Sequence, residues 1–255
     1  MKIATWNVNS LNVRLPQVLD WLEAVEPDVL AMQETKVSDE QFPVMEFQAA
    51  GYEAVFAGQR SYNGVAIVSR KTADGVVRCI PGLDDDQRRF IGATIDGVRV
   101  LDLYVVNGQE VGSEKYAYKL EWLRALTAYL ETEIERHDEL VVLGDFNIAP
   151  EDRDVHDARI WHERIMCSTP EREALGRILA LGLQDTFRLF EQPAKSFTWW
   201  DYRSGALRRN WGLRIDLVLA SRALSEVCRS CIIDAEPRRH ERPSDHAPVM
   251  AEFAI

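Results

Sequence analysis

The apolar and polar positions along the chain divide first into short runs that indicate β-strands. KIATWNVN and DVLAMQE, near the amino terminus, have the pattern of buried strands. Apolar runs separated by glycine-containing turns then predict short, mainly antiparallel strands: YEAVFAG, GVAIVSR, GVVRCI, FIGATIDG and VRVLDLYVV. ELVVLGDF is a further buried strand, and the alternation of Val249, Ala251 and Phe253 with Met250 and Glu252 predicts a half-buried final strand.

Three other segments repeat apolar residues at helical spacing. We predict one helix around LPQVLDWLEAVE and a long one from about Ser113 to His137. A third helix, PEREALGRILALG, has Pro170 at its start and Gly182 at its end. No linker, short repeat or low-complexity tract interrupts the pattern. We therefore predict a single domain over residues 1–255, with two sheets packed face to face and helices outside them.

Composition and charge limit the classes of function. The chain has 255 residues, 46% of them hydrophobic, and no apolar run approaches the roughly 20 residues that span a bilayer. We expect a soluble, cytoplasmic protein with no membrane partner and with four reduced structural cysteines. The net charge of −11 argues against a globally basic nucleic-acid binder but leaves room for a local basic rim. Candidates for that rim are Arg88 with Arg89, Lys115 with Lys119, the stretch from Arg203 to Arg214, and residues 237–242.

Polar residues recur where the predicted strands end. Rigid sheets hold such residues in fixed positions, which favours catalytic roles. Each also has a simpler interpretation: the asparagines as turn formers, Glu34 as a surface acid and Tyr104 as a core aromatic. The set comprises Asn7, Glu34, Tyr104, Asn107, Asp145, Asn147, Asp216, Asp245 and His246.

Asp216 is the least easily explained member of this set. It lies among Leu213, Ile215 and Leu217, and a carboxylate in an apolar strand needs a partner that offsets its desolvation. His246 would supply that partner, with Asp216 orienting its ring. Glu34 offers hard oxygen ligands for Mg²⁺, and Asn7 an amide oxygen. Asp145 would deprotonate a water, Asn147 would position Asp145 or a phosphate, and Tyr104, Asn107 and His246 would donate to phosphate oxygens.

Taken together and in order, the motifs TWNVNSLNVR, QETK, YNGVAIVSR, GDFN, GLRIDLVLAS and RPSDHAPV resemble the exonuclease III / apurinic-apyrimidinic endonuclease family. That family is part of the endonuclease/exonuclease/phosphatase superfamily, which has the deoxyribonuclease-like fold. The resemblance implies a four-layer α/β sandwich and a Mg²⁺-dependent DNA repair nuclease, with Mn²⁺ as an alternative metal. It also implies a monomer that acts on double-stranded DNA with 3′ ends or abasic sites. By position it implies metal ligation by Glu34 and Asn7, with Asp245 near the metal.

The segment SFTWWDYRSGALRRNWGLRID resembles the family's damage-recognition loop. Trp199, Leu213 and Ile215 stand at positions that would wall a pocket for a displaced sugar, or they pack in the core. We expect DNA contact from Trp199 and Arg203, with Arg208 and Arg209 in the basic rim, and core packing for Trp200. Asn9 stands where some relatives have an acid near the metal, and Val106 where proline is frequent.

Met166 could decide which DNA ends are processed. Relatives active at internal abasic sites tend to have smaller residues in this region. If Met166 projects towards Trp199 and Leu213, it restricts the pocket and favours exonuclease or 3′-phosphatase activity over abasic incision. A core methionine is the alternative. Two other functions stay open for the whole chain: a superfamily phosphatase for a non-DNA phosphoester, and an inactive DNA-binding module.

Overall fold

A computed structural model describes residues 1–255. The strands are β1 Lys2–Asn7, β2 Val29–Gln33, β3 Glu53–Ala57, β4 Val65–Ser69, β5 Ala73–Val77, β6 Phe90–Ile95, β7 Val98–Tyr104, β8 Leu140–Asp145, β9 Gln184–Asp185, β10 Asp216–Ala220, β11 Cys228–Ile233 and β12 Val249–Phe253. The α-helices are α1 Leu11–Val25, α2 Val44–Ala49, α3 Glu114–Arg136, α4 Ala158–Trp161, α5 Thr169–Ala180, α6 Ala206–Arg209 and α7 Arg222–Glu226.

The strands form two six-stranded sheets. The first has the order β11-β12-β1-β2-β4-β3 and the second the order β5-β6-β7-β8-β10-β9. Each sheet contains one parallel pair, β1 with β2 and β7 with β8, and all its other pairs are antiparallel. The prediction of mainly antiparallel sheets is therefore confirmed.

Alternation along the central strands builds three apolar layers. In β8, Val141 and Leu143 face the first sheet, whereas Leu140 and Val142 face the helices, because successive side chains point to opposite faces. The inner layer joins the two sheets through a cluster of 21 buried residues. Outside it, α3 and α5 cover the second sheet, and α1 and α2 cover the first. The arrangement is the predicted four-layer α/β sandwich.

The long predicted helices end close to the expected residues. Ser113 is the N-cap of α3, where its side chain accepts from the backbone N–H of Tyr116, and His137 is the C-cap. A capping box of Ser168 and Glu171 begins α5, and Gly182 follows its end. The strand β11 was not predicted, because Cys231 is its only buried residue and no apolar run or clear alternation marks it. All four cysteines are free thiols, and no helix is long and apolar enough to cross a membrane.

Three predicted rim cations are buried and do not belong to a basic surface. Lys119 pairs with Glu171, Arg214 pairs with Asp154 and Asp185, and Arg238 donates to the carbonyls of Ser244 and Trp200. Charge patterning in a sequence does not reveal such partners, because they come from distant segments. Arg88, Lys115, Arg208 and Arg209 remain exposed.

Candidate active site

The polar residues at the strand ends meet at one edge of the sandwich. Strands β1, β2, β7 and β8 end at this edge. Strand β10 begins here, and the residues that lead into β12, which include His246, lie at the same edge. The backbone pairing sets Asp145 opposite Tyr104 in the parallel direction and opposite Asp216 in the antiparallel direction. The two sheets converge here, so that the Asn7 amide of the first sheet donates to Oδ2 of Asp145 in the second, at 3.0 Å.

Asp145 is almost completely buried, and several groups hold its carboxylate. The backbone N–H of Asn147 donates to its Oδ1 at 2.9 Å, and the Asn147 side-chain amide donates to Oδ2 at 3.2 Å. The same Asn147 amide donates to the Val105 carbonyl, which fixes its orientation. Two hydrogen bonds from Asn147 thus hold the Asp145 carboxylate in place.

Burial raises the pKa of Asp145 to about 7. The positive charge of His246 lowers this pKa, and the negative charges of Asp216 and Glu34 raise it. A carboxylate of this pKa exchanges protons near neutral pH, which is the property required of a general base.

His246 and Asp216 form a buried pair beside Asp145. The distance from Nδ1 of His246 to Oδ2 of Asp216 is 2.9 Å, and Nε2 of His246 lies 3.8 Å from Oδ2 of Asp145. The hydroxyl of Thr198 accepts from the backbone N–H groups of Ile215 and Asp216 and thereby fixes the start of β10. The predicted partnership of Asp216 with His246 is thus present in the structure.

The neighbouring carboxylates keep the His246 ring positively charged. Burial lowers the pKa of His246, but the charges of Asp216 and Asp145 outweigh burial and raise it to about 10. With this pKa the ring is an imidazolium at neutral pH, so its Nε2 is available to donate a hydrogen bond and does not accept a proton. His246 therefore suits the stabilisation of negative charge, and Asp145 is the candidate for a base.

Glu34 lies at the more exposed side of the site. Oxygen and nitrogen ligand atoms of Glu34, Asp145 and His246 all lie within 4.8 Å of one another. Asn7 donates to Oε1 of Glu34 at 2.9 Å, and Nζ of Lys36 lies 2.9 Å from Oε2. Magnesium prefers hard oxygen ligands, so the atoms of this group that suit such a cation are the carboxylate oxygens of Glu34 and Asp145. These residues fit a divalent cation of the magnesium class.

Asn7 and Asp245, which were expected near the metal, form hydrogen bonds with other residues of the site. The Asn7 amide nitrogen faces both carboxylates, and its Oδ1 accepts from the backbone N–H of Asn9 at 3.0 Å. Asp245 accepts from the Asn9 amide at 2.8 Å and from the Trp199 indole at 3.0 Å. Asp245 is therefore connected to Glu34 only indirectly, because Nζ of Lys36 contacts both Asn9 and Glu34.

Tyr104 and Asn107 border the site on the side of the second sheet. Burial and the nearby charges of Glu34 and Asp145 raise the pKa of Tyr104 well above its ordinary value, so its hydroxyl stays protonated and able to donate. The Arg89 guanidinium lies 4.7 Å from the centre of its ring. Asn107 is exposed, and its amide donates to Oδ1 of Asn147 at 3.0 Å.

An aromatic and basic loop, residues 196–215, adjoins this edge. Trp199 forms backbone bridges to His246 and to Leu213, which fixes the loop against the site. Arg203, Arg208 and Arg209 are exposed, and Arg203 pairs with Asp201 at 2.9 Å. Trp200 is buried, as expected. Sequence reasoning missed Trp211, which is 42% exposed and has the Arg209 guanidinium 4.5 Å from its ring centre.

Met166 belongs to a small apolar cluster at the base of this loop. It is 7% exposed and packs with the buried Leu213 and Ile215, and Trp199 packs against the cluster. The backbone of Met166 is left-handed, with φ of 68°. Met166 thus lies beside Leu213 and Ile215, two of the three residues that were expected to wall a sugar pocket, and in the cluster against which the third, Trp199, packs.

Comparisons with known proteins show which family the sequence and the fold match. The model of the Endonuclease/Exonuclease/phosphatase family matches residues 4–246. Exodeoxyribonuclease III of Haemophilus influenzae is 35% identical over 266 residues, which cover 99% of this chain and all of that protein. The structure of the 3′ phosphatase NExo from Neisseria bound to a product DNA hairpin has a TM-score of 0.98, with 49% identity and full coverage of both chains. An AP endonuclease from Archaeoglobus fulgidus has a TM-score of 0.96 at 41% identity, again with full coverage of both chains.

Proposed function

The chain belongs to the Endonuclease/Exonuclease/phosphatase family, and from this membership we propose that it is a metal-dependent DNA repair nuclease that hydrolyses DNA phosphodiesters and cleans 3′ ends. The observation that carries the proposal is the position of Asp145. Its carboxylate is held by Asn147 and lies 3.8 Å from the His246 ring, with Glu34 at the open side. The proposed base Asp145, the cationic donor His246 and the metal ligand Glu34 thus lie together around the place where we propose that the phosphate binds.

The side chains divide the work of hydrolysis. Asp145, with its pKa of about 7, takes a proton from the water that attacks phosphorus. The P–O bond to the DNA oxygen breaks as the new bond forms, and that oxygen leaves as a hydroxyl group with a proton from solvent. His246 donates from Nε2 to a phosphate oxygen whose negative charge grows as the new bond forms, and Asp216 keeps that ring charged and oriented. The hydroxyl of Tyr104 and the amide of Asn107 are donors to the same phosphate.

Glu34 is the carboxylate that would hold the metal. The metal we propose is Mg²⁺, with Mn²⁺ as an alternative, and it would supply charge neutralisation at the phosphate oxygens when bound. Asn7 would join this set through its amide oxygen after rotation of the amide, because its nitrogen now faces Glu34 and Asp145. Asp245 would not bind the metal directly but would orient the nearby Asn9, whose amide donates to it.

The DNA is proposed to lie along the loop 196–215. The chain is strongly acidic overall, so phosphate contacts depend on local cations such as Arg203, Arg208 and Arg209. Trp199 offers an aromatic surface next to His246. Because Met166 fills the space beside Leu213 and Ile215, we propose that 3′-end processing exceeds abasic incision. We further propose a monomer whose residues 1–255 form one catalytic domain.

A duplex oligonucleotide with a 3′-terminal phosphate tests the proposal. Purified protein is expected to release phosphate with Mg²⁺ and to release none with an excess of chelator. A small phosphate ester that is hydrolysed while the duplex is untouched would instead favour the phosphatase for a non-DNA substrate. Tight duplex binding without any product, across a series of divalent metals, would favour the inactive DNA-binding module.

A further inference from the structure

Lys119 is a fully buried lysine directly beneath the candidate active site. Its Nζ donates to the backbone carbonyl of Asn147 at 2.7 Å and to that of Asn107 at 3.2 Å. The third partner of Nζ is the carboxylate of Glu171, which is also fully buried. An ammonium group has three N–H donors, so all of them are used.

Glu171 connects this lysine to the loop that contains Met166. Its Oε1 accepts from the backbone N–H of Met166 at 3.0 Å and also from Lys119. Its Oε2 accepts from the backbone N–H of Ser168 at 3.1 Å and from the Ser168 hydroxyl at 2.6 Å. One buried ion pair thus joins three segments: the turn after β7, the turn after β8, and the start of α5.

We propose that Lys119 is a positioning residue, which sets Asn147 and Asn107 for catalysis, and that Glu171 couples this setting to the Met166 segment. The proposal rests on the function proposed above. Only one residue separates Lys119 from the proposed base. Lys119 donates to the Asn147 carbonyl, and the backbone N–H and side-chain amide of Asn147 donate to Asp145. A displacement of that turn therefore moves the base itself.

The alternative is that the pair only stabilises the fold. A buried ion pair is a weak source of net stability, because desolvation offsets most of the attraction, and apolar residues of the same volume often do as well. The chain contains a matched example. Arg99 pairs with Glu133 at 2.6 Å, both are buried, and Glu133 lies on the same helix as Lys119 but near its other end. Arg99 contacts no residue of the candidate site.

The experiment compares Lys119→Met with Arg99→Met, each of which removes the nearest cation of a buried glutamate; Glu133 keeps Arg136 at 4.0 Å. We measure kcat and KM for release of phosphate from a 3′-phosphorylated duplex, together with the thermal midpoint. Lys119→Met is expected to lower kcat roughly ten- to a hundredfold while KM changes less than about threefold, because small misplacements of catalytic groups are that costly. Arg99→Met is expected to lower the thermal midpoint and to leave kcat within about twofold of the unmodified protein.

The double variant Lys119→Met/Glu171→Gln makes the test independent of a folding defect. It removes both buried charges, so its thermal midpoint is expected to recover, whereas kcat stays low because the two carbonyls have lost their donor. Recovery of kcat together with the midpoint would overturn the proposal. So would a kcat for Lys119→Met equal to that of Arg99→Met.

A spectroscopic readout separates this proposal from the proposed function. The side-chain amide resonances of Asn147 and Asn107 are expected to shift in the double variant and to stay in place in Arg99→Met. Unshifted amides would overturn the positioning role even in a fully active enzyme. If the unmodified protein released no phosphate, the proposed function would fail, whereas shifted amides would still support the positioning role.

Discussion

His246 and Asp216 form a buried ion pair in which Nδ1 of the ring lies 2.9 Å from Oδ2 of the carboxylate. Asp216 is the residue opposite Asp145 in the β8–β10 pairing. A single strand register therefore fixes both the proposed base and the residue that keeps the neighbouring imidazolium charged. The sandwich positions these groups by backbone pairing, which is more rigid than a loop.

Asp216→Asn is expected to change the pH dependence of turnover. Burial works against the charged form of His246, and the negative charge of Asp216 is the largest influence that keeps its pKa raised, at about 10. Without that charge the pKa falls, so the ring loses its proton at a lower pH. The alkaline limb of the kcat profile should therefore move to lower pH. At pH 8 kcat should fall on the order of 10²-fold, as for loss of a preorganised donor.

Asp157→Asn is the control for this change, since Asp157 is a carboxylate in a surface pair with Arg159. It should leave the profile unchanged. An alkaline limb in Asp216→Asn that coincides with that of the control would remove the ion pair from the mechanism.

Glu34→Ala should raise the Mg²⁺ concentration needed for half-maximal activity. Glu34 is the carboxylate of the cluster that is open to solvent, and its loss removes a hard-oxygen ligand. The measurement is kcat as a function of Mg²⁺ concentration, with the exposed Glu23→Ala on α1 as a control. A titration curve identical in both variants would mean that Glu34 does not bind the metal.

Charge reversal at Arg208 and Arg209 should weaken DNA binding without slowing the hydrolysis of a small phosphodiester. Both arginines are exposed on α6, and neither is among the buried residues of the candidate site. The slope of log K against log salt should become shallower by about two, or roughly one per lost phosphate contact. Arg222→Glu, on the exposed α7, is the matched surface control. Equal losses on DNA and on the small ester would indicate a structural role.

Replacement of Met166 should open the sugar pocket. Met166→Gly is expected to increase abasic-site incision with little change in 3′-phosphate release, because it frees the space beside Leu213 and Ile215. The glycine also relieves the left-handed backbone at this position. Met166→Ala, which removes the bulk but keeps the backbone restriction, should produce a gain as well. If neither variant gains incision, Met166 is a core residue without influence on specificity.

The sequence predicted the strand-end residues well because each one follows a clear apolar run. Asn7, Glu34, Tyr104 and Asp145 end or directly follow strands whose pattern was evident, and parallel and antiparallel pairing brings such ends together. The partnership of Asp216 and His246 was predictable for another reason, since an acid in an apolar strand requires a partner.

Other parts of the site could not be predicted because they depend on tertiary contacts. Lys119 has the pattern of a surface cation at a helix start, and only the fold reveals that Glu171 and two carbonyls surround it. The protonated state of His246 likewise follows from the combined field of several carboxylates. The exposure of Trp211 depends on the path of its loop, and a loop has no periodic pattern from which the exposure of a residue can be predicted.

The kinetics of Asp145→Asn test the central claim most directly, because every other assignment is built around this carboxylate. In the unmodified protein kcat/KM should fall as the pH drops below about 7, where burial and neighbouring acids hold the pKa of Asp145. The amide cannot take a proton from water, so kcat for release of 3′-phosphate should fall on the order of 10²–10⁴-fold with the fold intact. Duplex binding, measured separately, should persist. A folded Asp145→Asn variant that turns over at a near-normal rate would contradict the account.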